Sequence, residues 1–151
     1  MALEALIAAN TSPIFTGIPR NGFAKVTGVD GSQDGTDADV KLVFTADATD
    51  GSFLQRLILQ PLSTSGSTTT SVAALRIYLN NGSTVGTAAN NQLIKEWSLG
   101  AIAVNVAATV AALGYEIPLN IQLAPGYAVY VGVTAVAANT QWNVTSIHGD
   151  Y

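Results

Sequence analysis

The densest grouping of metal-ligating side chains in this sequence is the run Val29-Asp-Gly-Ser-Gln-Asp-Gly-Thr-Asp-Ala-Asp39, in which Asp30, Ser32, Asp34 and Gly35 match the first half of a calcium loop. Ca²⁺ takes hard oxygen donors, and Asp30, Asp34, Asp37 and Asp39 are the candidate ligands. The second half of the pattern fails. A calcium-binding helix-loop-helix needs a bidentate Glu at its last loop position, where this chain has Lys41, and it needs flanking helices, where this chain has a strand pattern. Asp and Gly are also the residues of Asx-turns and left-handed backbone, so an ordinary polar loop accounts for the run and no metal or other cofactor is expected.

His148 is the only imidazole. A nucleophilic triad would need a serine and an orienting carboxylate brought to it, and Asp150 is close only in sequence. No Gly-x-Ser-x-Gly elbow precedes a helix, so a hydrolase is not expected. Glu96 and Glu116 both fall on outward strand phases, and nothing in the sequence ties them to one cleft as a glycosidase pair. Arg56, Arg76, Tyr78 and Tyr130 are expected on an outer sheet face, where they could contact a sugar or a protein; ordinary cross-strand pairing explains them equally. Asn143-Val-Thr145 has the form of a glycosylation sequon, but it lies in a strand pattern with no secretory leader before it.

Strands must position these groups. Tyr115, Ile117, Leu119, Ile121 and Leu123 share one face, while Glu116, Pro118, Asn120 and Gln122 share the other. After the break at Ala124-Pro-Gly126 the alternation resumes with Tyr127, Val129, Val131, Val133 and Ala135. In residues 40–46, Val40, Leu42, Phe44 and Ala46 are expected inward and Lys41, Val43 and Thr45 outward. Residues 53–62 and 72–80 read as strands, with Leu75, Ile77 and Leu79 opposing Arg76, Tyr78 and Asn80. Residues 92–99 read as another, anchored by Trp97. The last, residues 141–148, carries Trp142, Val144 and Ser146 on one side. Weaker pieces lie at 15–17 and 22–27. The Ser/Thr/Gly tract 63–71 is expected to be a flexible connection, and 100–114 a loop with at most one helical turn.

With no amphipathic helix between strands, the expected fold is all-β, an antiparallel β-sandwich of jelly-roll type with about eight strands. It would occupy residues 14–151 behind an N-terminal arm at 1–13, where Leu3, Leu6 and Ile7 form one apolar side before Pro13. At 151 residues one core suffices. Charged residues are only 11% of the chain against 48% hydrophobic, a weakly charged surface that suggests burial against partners. The six basic residues are scattered and the net charge is −4, so nucleic acid is not an expected partner. The absence of cysteine removes thiol chemistry and disulfides. No stretch is long enough to span a bilayer as a helix, and the opening run lacks the positive region of a leader, so no membrane partner and synthesis in the cytoplasm are expected.

Taken in order, Gly-Val-Asp-Gly, Leu-Val-Phe-Thr-Ala, Gly-Ser-Phe-Leu-Gln-Arg-Leu, Leu-Arg-Ile-Tyr-Leu-Asn-Asn-Gly, Ile-Pro-Leu-Asn-Ile-Gln-Leu-Ala-Pro-Gly-Tyr and the closing His-Gly-Asp-Tyr resemble small proteins encoded among the virion genes of tailed bacteriophages. The likeness covers roughly residues 28–151 and is similar in style to capsid decoration, or cement, proteins. That resemblance implies a non-enzymatic virion protein, made in the host bacterial cytoplasm. It would be a homotrimer seated on the major capsid protein at subunit junctions, stiffening the shell. Under it, Leu3, Leu6, Ile7 and Phe15 would form a capsid-binding arm, and Val104, Val106, Val110 and Leu113 an oligomer contact. The alternative is a tail or fibre-tip module that binds host-surface carbohydrate through Arg56, Arg76, Tyr78 and Tyr130, since jelly rolls serve both roles.

Overall fold

Side chains that alternate apolar and polar bury one face per strand, so two sheets must close on each other. The computed structural model describes residues 18–107 and 114–151. It has ten strands: β1 (Ile18–Val26), β2 (Lys41–Thr45), β3 (Ser52–Ser63), β4 (Ser67–Thr69), β5 (Ala73–Asn80), β6 (Asn91–Leu99), β7 (Ala103–Asn105), β8 (Tyr115–Leu123), β9 (Ala128–Val133) and β10 (Thr140–Asp150). Their pairing is nested. β5 pairs with β6, β4 with β7, β3 with β8, β2 with β9 and β1 with β10, all antiparallel. The chain is thus one long two-stranded ribbon. Rolling it up adds two further ladders, β10 on β3 and β9 on β5. The result is sheet 1, ordered β1-β10-β3-β8, facing sheet 2, ordered β2-β9-β5-β6, with the short pair β4-β7 beside them. This is the jelly roll that the alternation predicted.

Leu54, Leu57 and Leu59 of β3, Leu75 and Ile77 of β5, Ile117 of β8, Val129, Val131 and Val133 of β9, and Trp142 and Val144 of β10 are fully buried between the sheets. Each such side chain contributes about 1.5–3 kcal/mol. Trp142, rather than the half-buried Trp97, is the largest of them.

One side of the roll is closed and the other is defended. A Cβ on Gly22 of β1 would meet Phe44 Cβ at 2.7 Å and Ser146 Oγ at 2.9 Å, so glycine lets β1 lie against β2. On the far side β8 is an edge strand. Pro118 has no N–H to offer a passing strand, its carbonyl accepts from Lys95 Nζ at 3.1 Å, and Asn120 is left-handed at φ 51° where the register slips.

Several sequence expectations change. A register shift between Leu42 and Phe44 puts Val43 inside at 4% exposure and turns Leu42 out at 45%, the reverse of strict alternation, because a bulge consumes one residue. Tract 63–71 contains β4, and the stretch 100–114 contains β7; at three residues each they are too short to show a period alone, and they pair with each other. The expected strand at 15–17 and the N-terminal arm lie outside the described residues.

Candidate functional site

The acidic run of residues 29–39 is a cover, not a cage. It lies across the outer face of sheet 2, where Asp30 N–H donates to Val133 O at 2.9 Å. The Asp30 side chain is buried against Tyr78, whose hydroxyl donates to Oδ2 at 2.6 Å, and the Arg76 guanidinium is 3.6 Å from the same oxygen. Arg76 Nη1 also donates to the Asp30 and Ser32 carbonyls at 3.2 and 2.8 Å, while its Nε donates to Glu96 at 2.9 Å. Gly132 makes room for this, since a Cβ there would meet Asp30 Oδ2 at 2.5 Å. Burial, and then the hydrogen bond to Asp30, push the Tyr78 hydroxyl well above its ordinary pKa, so it stays a donor.

The other three aspartates turn the loop. Asp34 accepts from the Ser32 hydroxyl and from the Thr36 N–H and hydroxyl, which together hold its carboxyl down at about 2. Asp37 accepts from the N–H groups of Gly31 and Asp39, and Asp39 pairs with Lys41. Among the described residues no three His, Cys, Asp or Glu side chains gather as a metal site, so Asp30, Asp34, Asp37 and Asp39 are not brought together. Asp30, Asp34 and Asp37 each accept the N–H two residues on, the Asx geometry that the sequence also allowed, and Asp39 has Lys41 alone among the described residues.

A second polar cluster continues the inward face of β10 past Trp142 and Val144. Ser146 Oγ accepts the Gly22 N–H at 2.8 Å and shares a hydrogen bond with His148 Nδ1 at 2.8 Å. The His148 ring stacks on Phe44, with centroids 3.7 Å apart. Asp150 accepts from Ser52 Oγ at 2.7 Å and from Arg20 Nε at 2.8 Å. Burial of Asp150 works against its charge, but these two hydrogen bonds outweigh it and its pKa is lowered. Serine, histidine and aspartate are therefore neighbours, as the sequence did not foresee. Yet Ser146 is 0% exposed and its lone pairs already serve β1, so as folded the hydroxyl cannot meet a substrate. The cluster pins β1, β2, β3 and β10 at one end of the roll.

Burial lowers the His148 pKa, with Asp150 opposing and Arg20 assisting. The unfolded chain therefore binds this proton more readily than the folded one. Stability from this residue is present above its ordinary pKa of 6.5 and is lost as pH falls through that value toward the lower folded one. Urea midpoints are expected to fall from about pH 8 to about pH 5, with the fall between those values reduced in His148→Gln. An unchanged slope in the variant would remove His148 as the cause.

The expected ligand face is split. Arg56 lies on β3 in sheet 1, paired with Glu116 at 2.6 Å, whereas Arg76, Tyr78 and Tyr130 lie on sheet 2. Tyr78 is 0% exposed beneath the acidic loop, so the face proposed for sugar is closed there. The expected oligomer contact is also divided. Val104 is buried in the core, Val106 is 63% exposed, and Val110 and Leu113 lie outside the described residues.

Among the described residues, what remains open is the outer face of sheet 1. Reading across β1, β10, β3 and β8, one row holds Phe23, Thr145, Ile58 and Glu116, and the next Asn21, Ile147, Arg56 and Pro118. Above the first, Lys25, Asn143 and Gln60 align. Phe23 is 77% exposed at the centre of this edge. Its position in a weak, broken pattern hid it from the sequence reading.

No protein-family model matches the chain, and a search of curated proteins finds no match. Among solved structures it is similar to a chain in the structure of infectious bursal disease virus Gx strain, at 13% identity and TM-score 0.32, over 89% of this chain and 33% of that one. A chain of the infectious bursal virus-derived T=1 particles matches at 14% identity and TM-score 0.31, over 89% and 32%. The protein thus spans about a third of the length of the chains it matches. So slight a likeness carries no argument about role, and the class of protein rests on the fold itself: an antiparallel jelly roll.

Proposed function

We propose that this jelly roll is a structural protein of a tailed-phage virion that binds the outside of the assembled capsid at junctions of the major capsid protein and stabilises the shell without turnover. The observation that carries this reading is the division of the surface. The groups that could react, Ser146, His148, Asp150, Asp30 and Tyr78, are consumed in buried hydrogen bonds, while an open sheet face remains for contact. The ordered signatures shared in style with decoration proteins point the same way. Mechanistically this is linkage: a protein that binds only the assembled lattice stabilises that lattice, and symmetry multiplies a modest contact. Residues 1–13, with Leu3, Leu6 and Ile7, would reach the neighbouring capsomer.

The test is co-sedimentation of the purified protein with expanded empty heads. Full-length chain is expected to pellet with heads and raise their thermal rupture temperature, and a chain lacking residues 1–13 is expected to stay in the supernatant. Failure of the full-length chain to bind, together with saturable binding on a glycan array, would replace this reading with carbohydrate recognition.

A further inference from the structure

We propose that the outer face of sheet 1 is a docking surface for a second copy of the same chain, turned over about an axis that runs along the strands between β10 and β3. The two faces of the roll are treated differently by the fold. Sheet 2 is covered by the loop held through Asp30, Arg76 and Tyr78, whereas among the described residues Phe23, Lys25, Gln60, Glu116 and Pro118 of sheet 1 are left to solvent.

The choice of occupant follows from the register. Turning a second copy about that axis lays its β8 on β1 and its β3 on β10, and the same contacts recur on the other side, as an isologous pair requires. Within the rows already given, Thr145 of one copy then meets Ile58 of the other across the axis. Phe23 lies over the Glu116 and Pro118 end of the partner face, where the proline ring offers it an apolar seat. Lys25, at the β1 edge, comes within a row of Glu116 at the β8 edge, so a second copy brings a further cation beside the carboxylate that its own chain pairs with Arg56 at 2.6 Å. Four strands about 4.8 Å apart and some eight residues long give roughly 500 Å² per copy before side-chain relief, which reaches the lower bound of a specific interface. A pair would take up the open face that the capsid reading leaves for contact, so capsid binding by the pair would fall to residues 1–13, and a pair would replace the homotrimer that the resemblance implies.

Sedimentation equilibrium of the full chain tests it. The wild type is expected at twice the 15.5 kDa protomer mass. Phe23→Lys, a change at an exposed position, is expected to raise the dissociation constant at least about tenfold with an unchanged circular dichroism spectrum. Lys25→Glu should weaken pairing while leaving the Arg56–Glu116 pair within each chain in place. A monomer at every concentration, a trimer, or a dimer indifferent to Phe23→Lys would each overturn the proposal. A monomer whose Phe23 becomes more protease- or solvent-accessible on removal of residues 1–13 would assign the face to the chain's own N-terminal segment.

Discussion

Replacing Trp142 with alanine is expected to cost about 3–5 kcal/mol of folding free energy. The indole is fully buried where the first part of β10 faces sheet 2, and it lies 6.1 Å from the Tyr115 ring, centroid to centroid. Its removal leaves a cavity that strands fixed by ladders cannot collapse to fill, since β3 holds β10 from Thr140 onward and β1 holds its other side from Trp142 to Ser146. Against the roughly 5–15 kcal/mol that holds a domain of this kind folded, the loss is a large fraction. Urea unfolding should show the midpoint falling steeply with little change in slope. Trp142→Phe should lose much less than Trp142→Ala, because the indole N–H has no acceptor and its deletion leaves no polar group stranded. A loss below about 1 kcal/mol for the alanine variant would mean that the core is not centred on this residue.

Asp30→Ala is expected to cost about 2–4 kcal/mol, because this buried carboxylate joins the acidic loop to both Tyr78 and Arg76 of sheet 2. Its carboxylate takes the Tyr78 hydroxyl at 2.6 Å and faces Arg76 at 3.6 Å, so its loss leaves the buried phenol with only the Ser32 carbonyl at 3.0 Å and the guanidinium with only Glu96 and two backbone carbonyls. Tyr78→Phe should cost about 1–2 kcal/mol, removing the donor but leaving the ring. The two changes share one interaction, so the double variant should lose less than the sum. Hydrogen exchange supplies the spatial check. In Asp30→Ala, the Asp30 N–H that donates to Val133 O should exchange faster, while the Thr145 amide of β10 keeps its protection. Uniform loss of protection over both would show that the loop and the roll unfold as one unit. Full additivity of the two substitutions would show that Asp30 and Tyr78 do not act together.

How far the candidate site could be read from the sequence differs from residue to residue. The outward phases of Glu96 and Glu116, and the inward phases of Ser146 and Val144, are set by a period of two that survives wherever a strand is regular. Leu42 and Val43 were inverted because a bulge is a property of a pair of strands and leaves no mark on one of them. Tyr78 was assigned to an open face for a related reason. Its phase is outward, but a loop from elsewhere in the chain lies over it, and burial then depends on Asp30 being 48 residues away in sequence and 2.6 Å away in space. The same holds for Asp150, whose partners Arg20 and Ser52 are separated from it by 130 and 98 residues.

The sequence by itself determined that this chain is built of antiparallel strands with one apolar face each, with no amphipathic helix among the described residues to separate them, and that its aspartate-rich run has the turn chemistry of a loop. Those properties are local, fixed by side-chain alternation and by the backbone preferences of Asp, Asn, Gly and Pro. Only the tertiary structure decided the nested pairing of β1 with β10 through β5 with β6, the existence of β4 and β7, which sheet face is covered and which is open, and the enclosure of Ser146, His148 and Asp150. Each of these depends on contacts between residues far apart in the chain. A strand's own sequence says which side it buries but carries no record of the strand or loop that will cover the other.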